Sequence, residues 1–406
     1  MPNVVFVLPF AKESSLRFVR AAAMLPDVRL ALVSQDPVDK LPEELRHLLA
    51  GFLRVDDGLS AAQLTVAVQK LGRQLGSVDA LLGILEQLQE PLAEVRETLR
   101  IRGMDRSEAS NFRDKAQMKA VLAEHGLPCA RYLLCHGVEE GVAFARTSGY
   151  PLVGKPPFGA GAKTTERLVD EAGLRSFLQG VRVGPERAVL LEEFVQGSEF
   201  SFDAITIEGR HAFHSIGEYH PTPLQVLEDP EVQWCVVLPR DIATERFAPI
   251  RATGPQALRA LGMWTGMAHM EWFLRRDGSI AIGEVAARPP GAQFMTLMSY
   301  AHDTDMYRAF AQLMIFGSFA LPQRNYAAGA VYLRGVGNGE VKGVTGFEPL
   351  QQALGNLIVE QKLPKPGQPK ADSYEGEGYV IVRHPDTIVV ERAVKQLAER
   401  VRVQLG

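Results

Sequence analysis

Glu271 and Glu284 stand on either side of Asp277-Gly278 in the run HMEWFLRRDGSIAIGEVAARPPG, residues 269–291. Asp-Gly between two runs of apolar and β-branched residues predicts a hairpin with a two-residue loop. Such a loop sets Arg276 opposite Ser279, Phe273 opposite Ile282 and Glu271 opposite Glu284. Directly opposed residues have Cβ atoms about 4.5–5.5 Å apart, and like charges there destabilise the strand pair unless something neutralises them. A divalent cation would do so: magnesium takes hard oxygen ligands and commonly combines one or two carboxylates with water and substrate phosphates. The alternative is a solvent-facing hairpin whose two glutamates share nothing. Arg288 favours the metal reading, because it follows Glu284 by four residues and precedes the rigid Pro289-Pro290-Gly291 turn. An arginine and a cation beside two carboxylates can hold a triphosphate and a developing negative charge.

Two further cations precede this hairpin. Lys115 opens a helical stretch, residues 116–125, that Gly126 and Pro128 stop. A cation gains nothing from the dipole at a helix start, so a purely local role is poorly motivated, though a solvated lysine is the plain alternative. Lys155 ends an apolar strand and leads into the loop Pro156-Pro157-Phe158-Gly159-Ala160-Gly161-Ala162-Lys163. Glycine-rich loops can fold backbone N–H groups around phosphate oxygens. The loop lacks the G-x-x-x-x-G-K-[ST] spacing of a P-loop, so any nucleotide must be held another way. Residues 189–203 read as two strands broken at Gly197, the second carrying Glu199, Ser201 and Asp203 on one face and Phe200 and Phe202 on the other.

The elements that must position these residues follow from composition and rhythm. With 406 residues, 46% hydrophobic and 23% charged content and a net charge of -4, the chain reads as a globular protein of two or three domains. No basic block of the kind that tracks a nucleic-acid backbone is present. The apolar run at residues 4–8 is too short for a signal-peptide core, and no run approaches a membrane span. Cys129, Cys135 and Cys235 form neither an even disulfide set nor a zinc spacing, so a reducing cytoplasm is the expected compartment. The first hundred residues alternate short apolar runs with amphipathic stretches, the βαβ rhythm of a small parallel sheet. No G-x-G-x-x-G follows the first strand, which makes this region scaffold or one wall of a site. In its EQLQE segment, residues 86–90, a solvated helix start is expected. No internal repeat or low-complexity segment is present.

In this order, Asp114-Lys115, Val153-Gly154-Lys155 with its glycine loop, Glu192-Glu193-Phe194-Val195 with Gly197 and Glu199, Glu271, and Glu284 with Arg288, the chain resembles the ATP-grasp superfamily and its L-amino acid ligases across about residues 110–320. The resemblance implies a mixed α/β and α+β fold. An N-terminal Rossmann-like parallel-sheet domain would span residues 1–108. A central ATP-grasp domain, residues 109–325, would comprise two α+β subdomains at about 114–193 and 194–325, and a small α+β capping domain would follow at 326–406. It also implies ATP with magnesium, or manganese in its place. Lys115 and Lys155 would contact the phosphates, and Phe158, Gly159, Ala160, Gly161 and Lys163 would close over them. Glu192, Glu193, Phe194 and Val195 would line the adenine site, Glu199 would meet the ribose, Glu271 and Glu284 would hold the metal, and Arg288 would stabilise the transferred phosphoryl group. The family usually shows an asparagine two residues after the second metal glutamate; here Ala286 stands there, leaving a second metal with fewer protein ligands.

The implied activity is an ATP-dependent carboxylate-amine ligase working through an acyl phosphate on small molecules, amino acids foremost, in an assembly expected to be a homodimer. Two other readings remain, a carboxylase subunit using bicarbonate and a non-catalytic ATP-binding module. Candidate substrate contacts are His220, in the long polar connection at 217–239; His302 and Asp303, read as the opening of a helix that runs to Phe316; and Arg334. His211 and His214, three apart on a strand, are expected on opposite faces, which argues against a shared metal.

Overall fold

The computed structural model of the chain describes residues 1–159 and 165–406. Its N-terminal rhythm folds into four parallel strands, β1 (Asn3–Val7), β2 (Arg29–Ser34), β3 (Gly51–Arg54) and β4 (Ala80–Leu82), in the order β3-β2-β1-β4. Every residue of β1 is buried, as a central parallel strand covered on both faces requires. The helix Ala61–Leu75 on this sheet is bounded by local chemistry: the Ser60 side chain accepts from Gln63 N, and Gly76 ends it at φ 97°.

A second, antiparallel sheet joins β5 (Tyr132–Cys135), β6 (Leu152–Lys155), β7 (Glu166–Leu168) and β8 (Val189–Glu193) in the order β5-β8-β6-β7. Packing explains the glycine before Lys155: a Cβ on Gly154 would lie 2.4 Å from the Phe177 ring.

The rest of the chain builds on β9 (Gly197–Ile207), β10 (Arg210–His220), β11 (Cys235–Leu238), β12 (Gly266–Arg275), β13 (Ile280–Ala286), β14 (Ala327–Leu333), β15 (Gly335–Val336), β16 (Val341–Thr345), β17 (Ile358–Lys362), β18 (Gly378–His384) and β19 (Arg402–Leu405). Eight of these form one antiparallel sheet, β13-β12-β9-β10-β11-β14-β18-β17, so β14, β17 and β18 extend the central sheet, while β15-β19-β16 form a separate three-stranded sheet. One face of β9 and β12 is apolar. Phe200 stacks on Trp272 with ring centroids 4.6 Å apart, and both are fully buried with Phe247, Ile250 and Ala257. Burying side chains of this size contributes roughly 1.5–3 kcal/mol each, which fixes the opposite, polar face toward the cleft. Among the described residues no helix is long and apolar enough to cross a membrane.

The hairpin of β12 and β13 keeps the pair Glu271 and Glu284 but reaches it differently. Arg275 N donates to Ser279 O and Gly278 N to Arg275 O, so the loop holds three residues and Gly278 takes φ 82°. Trp272 therefore faces Ile282 and Phe273 faces Ala281, one place off the two-residue register, and a bulge at Gly283 returns the strands to Glu271 opposite Glu284. The expected pairs Arg276 with Ser279 and Phe273 with Ile282 are thereby corrected.

A second bulge corrects the histidines. The ladder skips Ala212, which turns His211 and His214 to the same face, with Nε2 of one 3.0 Å from Nδ1 of the other. The segment 217–239 is partly regular: β10 runs on to His220, a helix Pro223–Glu228 follows, and β11 ends it. The expected helix to Phe316 is two helices, Phe294–His302 and Met306–Phe316. Asp303 caps the first in the left-handed region, and the Asp305 side chain caps the second.

At Gly197 the end of β9 leaves no room for a side chain, since a Cβ would meet Leu274 O of β12 at 2.3 Å. Gly197→Ala is expected to lower unfolding free energy by about 1–3 kcal/mol in urea titrations. An unchanged midpoint would mean that the strand ends separate at no cost.

Candidate active site

The polar faces of β9, β12 and β13 meet in one cleft. Glu199 and Ser201 on β9 are cross-strand partners of Phe273 and Glu271 on β12, so Glu199 and Glu271 are diagonal neighbours, and Glu271 faces Glu284 directly. Three carboxylates thus crowd one end of a cavity of about 510 Å³. Burial lifts the Glu199 carboxyl well above the usual carboxylate range, and the charge of Glu271 adds to the lift. Burial works against Glu271 as well, but His269, Lys155 and Lys115 outweigh it and keep its pKa low.

The cations come from four different elements. Lys115 opens the helix Lys115–Glu124, where the Asp114 carboxylate accepts from Ala116 N and Gln117 N and supplies the negative charge the helix start favours. Lys115 Nζ is 3.0 Å from Glu284 Oε1 and donates to Gly159 O at 2.9 Å, which ties the start of the glycine loop to the Glu284 carboxylate. On the second sheet Val153 faces Glu192, so Lys155, two residues on, shares that face, with Nζ 2.8 Å from Glu192 Oε1. Lys119 Nζ approaches the same oxygen to 3.4 Å. These are charge contacts rather than aligned hydrogen bonds, since Glu192 Oε1 has no hydrogen-bond partner of good geometry. Burial opposes the charge of Lys155, but Glu192 and Glu284 outweigh it and raise its pKa; burial dominates at Lys119 and lowers it.

Arg288 is anchored by Glu86, with Nε 2.6 Å from Oε2, and Nη1 donates to Pro289 O, so neither contact uses Nη2. Glu86 was expected in solvent; it is 5% exposed, with Arg113 a second cation at 3.7 Å. A third buried pair stands behind Glu271: His269 Nδ1 is 2.6 Å from Asp203 Oδ1, Ser201 Oγ donates to Asp203 Oδ2 at 2.9 Å, and His269 Nε2 is 3.8 Å from Glu271 Oε1. Burial opposes the imidazolium, but Asp203 and then Glu271 outweigh it and raise its pKa to about 9. His269 is also the cross-strand partner of Ala286, so an imidazole stands beside the position where an asparagine was expected.

The cleft brings together Lys115, Lys155, Gly159 and Glu192 with the strand end Glu193, Phe194 and Val195, and these with Glu199, Glu271, Glu284 and Arg288. The Glu193 side chain is held by Arg131 at 2.8 Å and Arg275 at 2.7 Å, and its main-chain N–H donates to Arg131 O at 2.9 Å. Phe158 is half exposed and does not line the cavity. Ala160, Gly161 and Lys163 lie outside the described residues.

None of the four candidate substrate contacts lies in the cavity wall. His220 is mostly exposed, 3.9 Å from Glu218. His302 is buried against Phe213 and bonds to Gln323 O. Asp303 pairs with Arg383. Arg334 donates to Val226 O, Asp229 O and Val232 O, binding the carbonyls at the end of a short helix.

Among the described residues no group of three or more His, Cys, Asp or Glu side chains converges as a metal cage. Glu271 and Glu284 fit a magnesium whose other ligands are water and phosphate, and the excess negative charge around Glu199 favours a cation there.

The ATP-grasp domain family model matches residues 167–296, from β7 through Arg288. An L-arginine-specific L-amino acid ligase of Bacillus subtilis is 23% identical over 266 residues, covering 61% of this chain and 60% of that one. The carbamoyl phosphate synthase large chain of Methanothermobacter thermautotrophicus is 23% identical over 230 residues, 55% of this chain and 21% of that one. The match thus spans less than two thirds of either relative. The crystal structure of L-amino acid ligase from Bacillus licheniformis superposes with a TM-score of 0.81 at 19% identity, covering 100% of this chain and 99% of that one. Residues 167–296 thus match an ATP-grasp domain, and the chain shares its overall fold with that L-amino acid ligase.

The His269 shift has a consequence for stability. A raised pKa means that the imidazolium stabilises the fold fully below about 6.5, its ordinary value, and that this contribution is lost as pH rises through about 9. In the nucleotide-free protein, His269→Gln is expected to remove most of the stability lost over that window, at most on the order of 3 kcal/mol. Denaturant midpoints at pH 6 and pH 9.5 measure it, and an unchanged pH slope in the variant contradicts the assignment.

Proposed function

We propose that the protein is an ATP-dependent carboxylate-amine ligase, forming an amide or peptide bond through an acyl phosphate and releasing ADP and phosphate. The observation that carries this reading is the continuity of the cavity. It runs from the cluster of Lys115, Lys155, Glu271, Glu284 and Arg288 to an end walled by Tyr219, Trp234, Phe294 and Tyr374. A site for a nucleotide triphosphate alone has no use for the aromatic end.

A carboxylate becomes an electrophile once its oxygen is a phosphate leaving group, and phosphoryl transfer depends mainly on positioning and charge neutralisation. Lys115 and Lys155 would grip the phosphates, with Glu193, Phe194 and Val195 at the adenine and Glu199 at the ribose. Magnesium, or manganese in its place, would be held by Glu271 and Glu284 and would neutralise the phosphate oxygens. Arg288, prealigned by Glu86, would balance the charge that develops on the transferred group and on the acyl phosphate. The incoming amine then attacks the acyl carbon and phosphate leaves. In this reading residues 1–108 are scaffold that supplies Glu86, residues 109–325 hold the nucleotide, and residues 326–406 cap the cavity with Tyr374 and Glu375. Three free cysteines fit a reducing compartment.

A carboxylase would place bicarbonate beside Arg288 and its carboxyl acceptor at the aromatic end, and a requirement for bicarbonate in turnover distinguishes it. Purified protein with magnesium, ATP and pairs of amino acids is expected to release ADP and phosphate together with a product one water lighter than its two substrates. Glu284→Gln and Arg288→Met should each lower kcat by about 10²–10³-fold, the usual cost of removing one stabilising group from a developing charge. AMP in place of ADP, or turnover that needs bicarbonate and no amine, would sink the proposal.

A further inference from the structure

The four rings at the far end form one connected box. Trp234 meets Tyr374 edge-on at 4.6 Å between centroids, Tyr219 lies 5.6 Å from Trp234 and 5.9 Å from Phe294, and Phe294 lies 5.6 Å from the His269 ring. Through His269 the box borders Glu271, so whatever occupies it lies next to the reacting end. Glu375, beside Tyr374 in sequence, also lines the cavity. Like Glu199, and unlike most acids around the cleft, it has no ion pair among the described residues. Glu284, Glu192, Glu193 and Glu86 each have a basic nitrogen within 3.0 Å. Glu375 has no side-chain hydrogen bond among the described residues, and the charge it senses is that of Lys12.

A half-buried carboxylate without a partner among the described residues, next to aromatic faces, is a receptor for a cation: the carboxylate supplies the charge and the ring quadrupoles add to it. We propose that Glu375 and this box receive the positively charged group of the carboxylate substrate, an amino acid whose carbon chain packs on the rings and whose carboxylate reaches Arg288. This inference rests on the ligase reading above and names the substrate class of the same site. It also assigns the direction of the bond. An ammonium gripped by a carboxylate has no lone pair and cannot attack an acyl phosphate. The molecule held here is therefore the one that is phosphorylated, and its charged group survives unmodified in the product. This direction follows when the charge is an α-ammonium; a side-chain cation is held at Glu375 by the same chemistry and leaves its own α-amine free.

The test reads binding, with magnesium and a non-hydrolysable ATP analogue present, by calorimetry. Phenylalanine is compared with 3-phenylpropanoate, and arginine with citrulline, on the native chain, on Glu375→Gln and on Glu375→Asp. In at least one pair the native chain should bind the more positively charged member about ten- to a hundredfold more tightly, as one charge-assisted hydrogen bond implies. Glu375→Gln should close that gap, Glu375→Asp should keep most of it, and affinity for the nucleotide analogue should stay unchanged in both. A gap in the first pair assigns the α-ammonium and a gap in the second the side chain; either supports the subsite. No gap in either pair, or a gap that survives Glu375→Gln, overturns it. ADP release without a gap refutes the subsite and spares the ligase reading. A gap without ADP release from any substrate pair does the reverse.

Discussion

Two carboxylates directly opposed on neighbouring strands repel each other, and the cleft is organised around keeping Glu271 and Glu284 in that position. The restoring force comes from both faces of the sheet. On the far side Trp272, Met270 and Phe200 are fully buried and cannot turn outward without losing that burial, so the alternation of β12 commits Glu271 to the cleft. On the near side Lys115 meets Glu284 and His269 meets Glu271. The repulsion is thus balanced without being abolished, and a cation carried in with nucleotide phosphates would enter a site already polarised for it.

Each cation that faces the cleft is itself held by an acid from another element. Glu86 fixes Arg288, Asp203 fixes His269, and Glu192 fixes Lys155 with Lys119 behind it. Burying an ion costs several kcal/mol unless it is paired, so these contacts serve orientation more than stability. They also cross the architecture. Glu86 comes from the region after the N-terminal parallel sheet, Glu192 from the second sheet, and the groups they hold belong to the cleft. In the proposed reaction, basic groups positioned from separate layers would act together on the charge of a transferred phosphoryl group.

The opposed glutamates, the apolar second face of β9 and β12 and the parallel N-terminal sheet were all legible in the sequence, because alternation and the Asp-Gly turn report local geometry. What was not legible came from three sources. Bulges are one: Gly283 compensated an extra loop residue in the hairpin, while Ala212 reversed the face of His214 relative to His211. Burial of charge is another. Glu86 reads as a helix start, and only tertiary contact with Arg288 removes it from water. Lys119 lies four residues after Lys115 on one helix face, and His269 two before Glu271 on one strand face, spacings that put His269 in the cleft wall and Lys119 just behind it. Distance in sequence is the third. His302, Asp303 and Arg334 were drawn toward the site by residue type alone, whereas each is taken up by a partner elsewhere: Gln323 O, Arg383 and the carbonyls at 226–232.

The two ends of the cavity are built by different parts of the chain, and this separates two problems. The charged end rests on a hairpin and strand faces whose positions are set by a continuous ladder, where one displaced residue would turn the glutamates away. The aromatic end takes Tyr219 from the end of β10, Trp234 from just before β11, Phe294 from a helix start and Tyr374 from the loop before β18. Residues on such ends and loops can change without disturbing the ladder. Charge balance at the reacting centre is therefore a property of the sheet, while the choice of what is joined belongs to its borders. The Glu375 carboxylate, without a partner among the described residues, lies on that second, adjustable side.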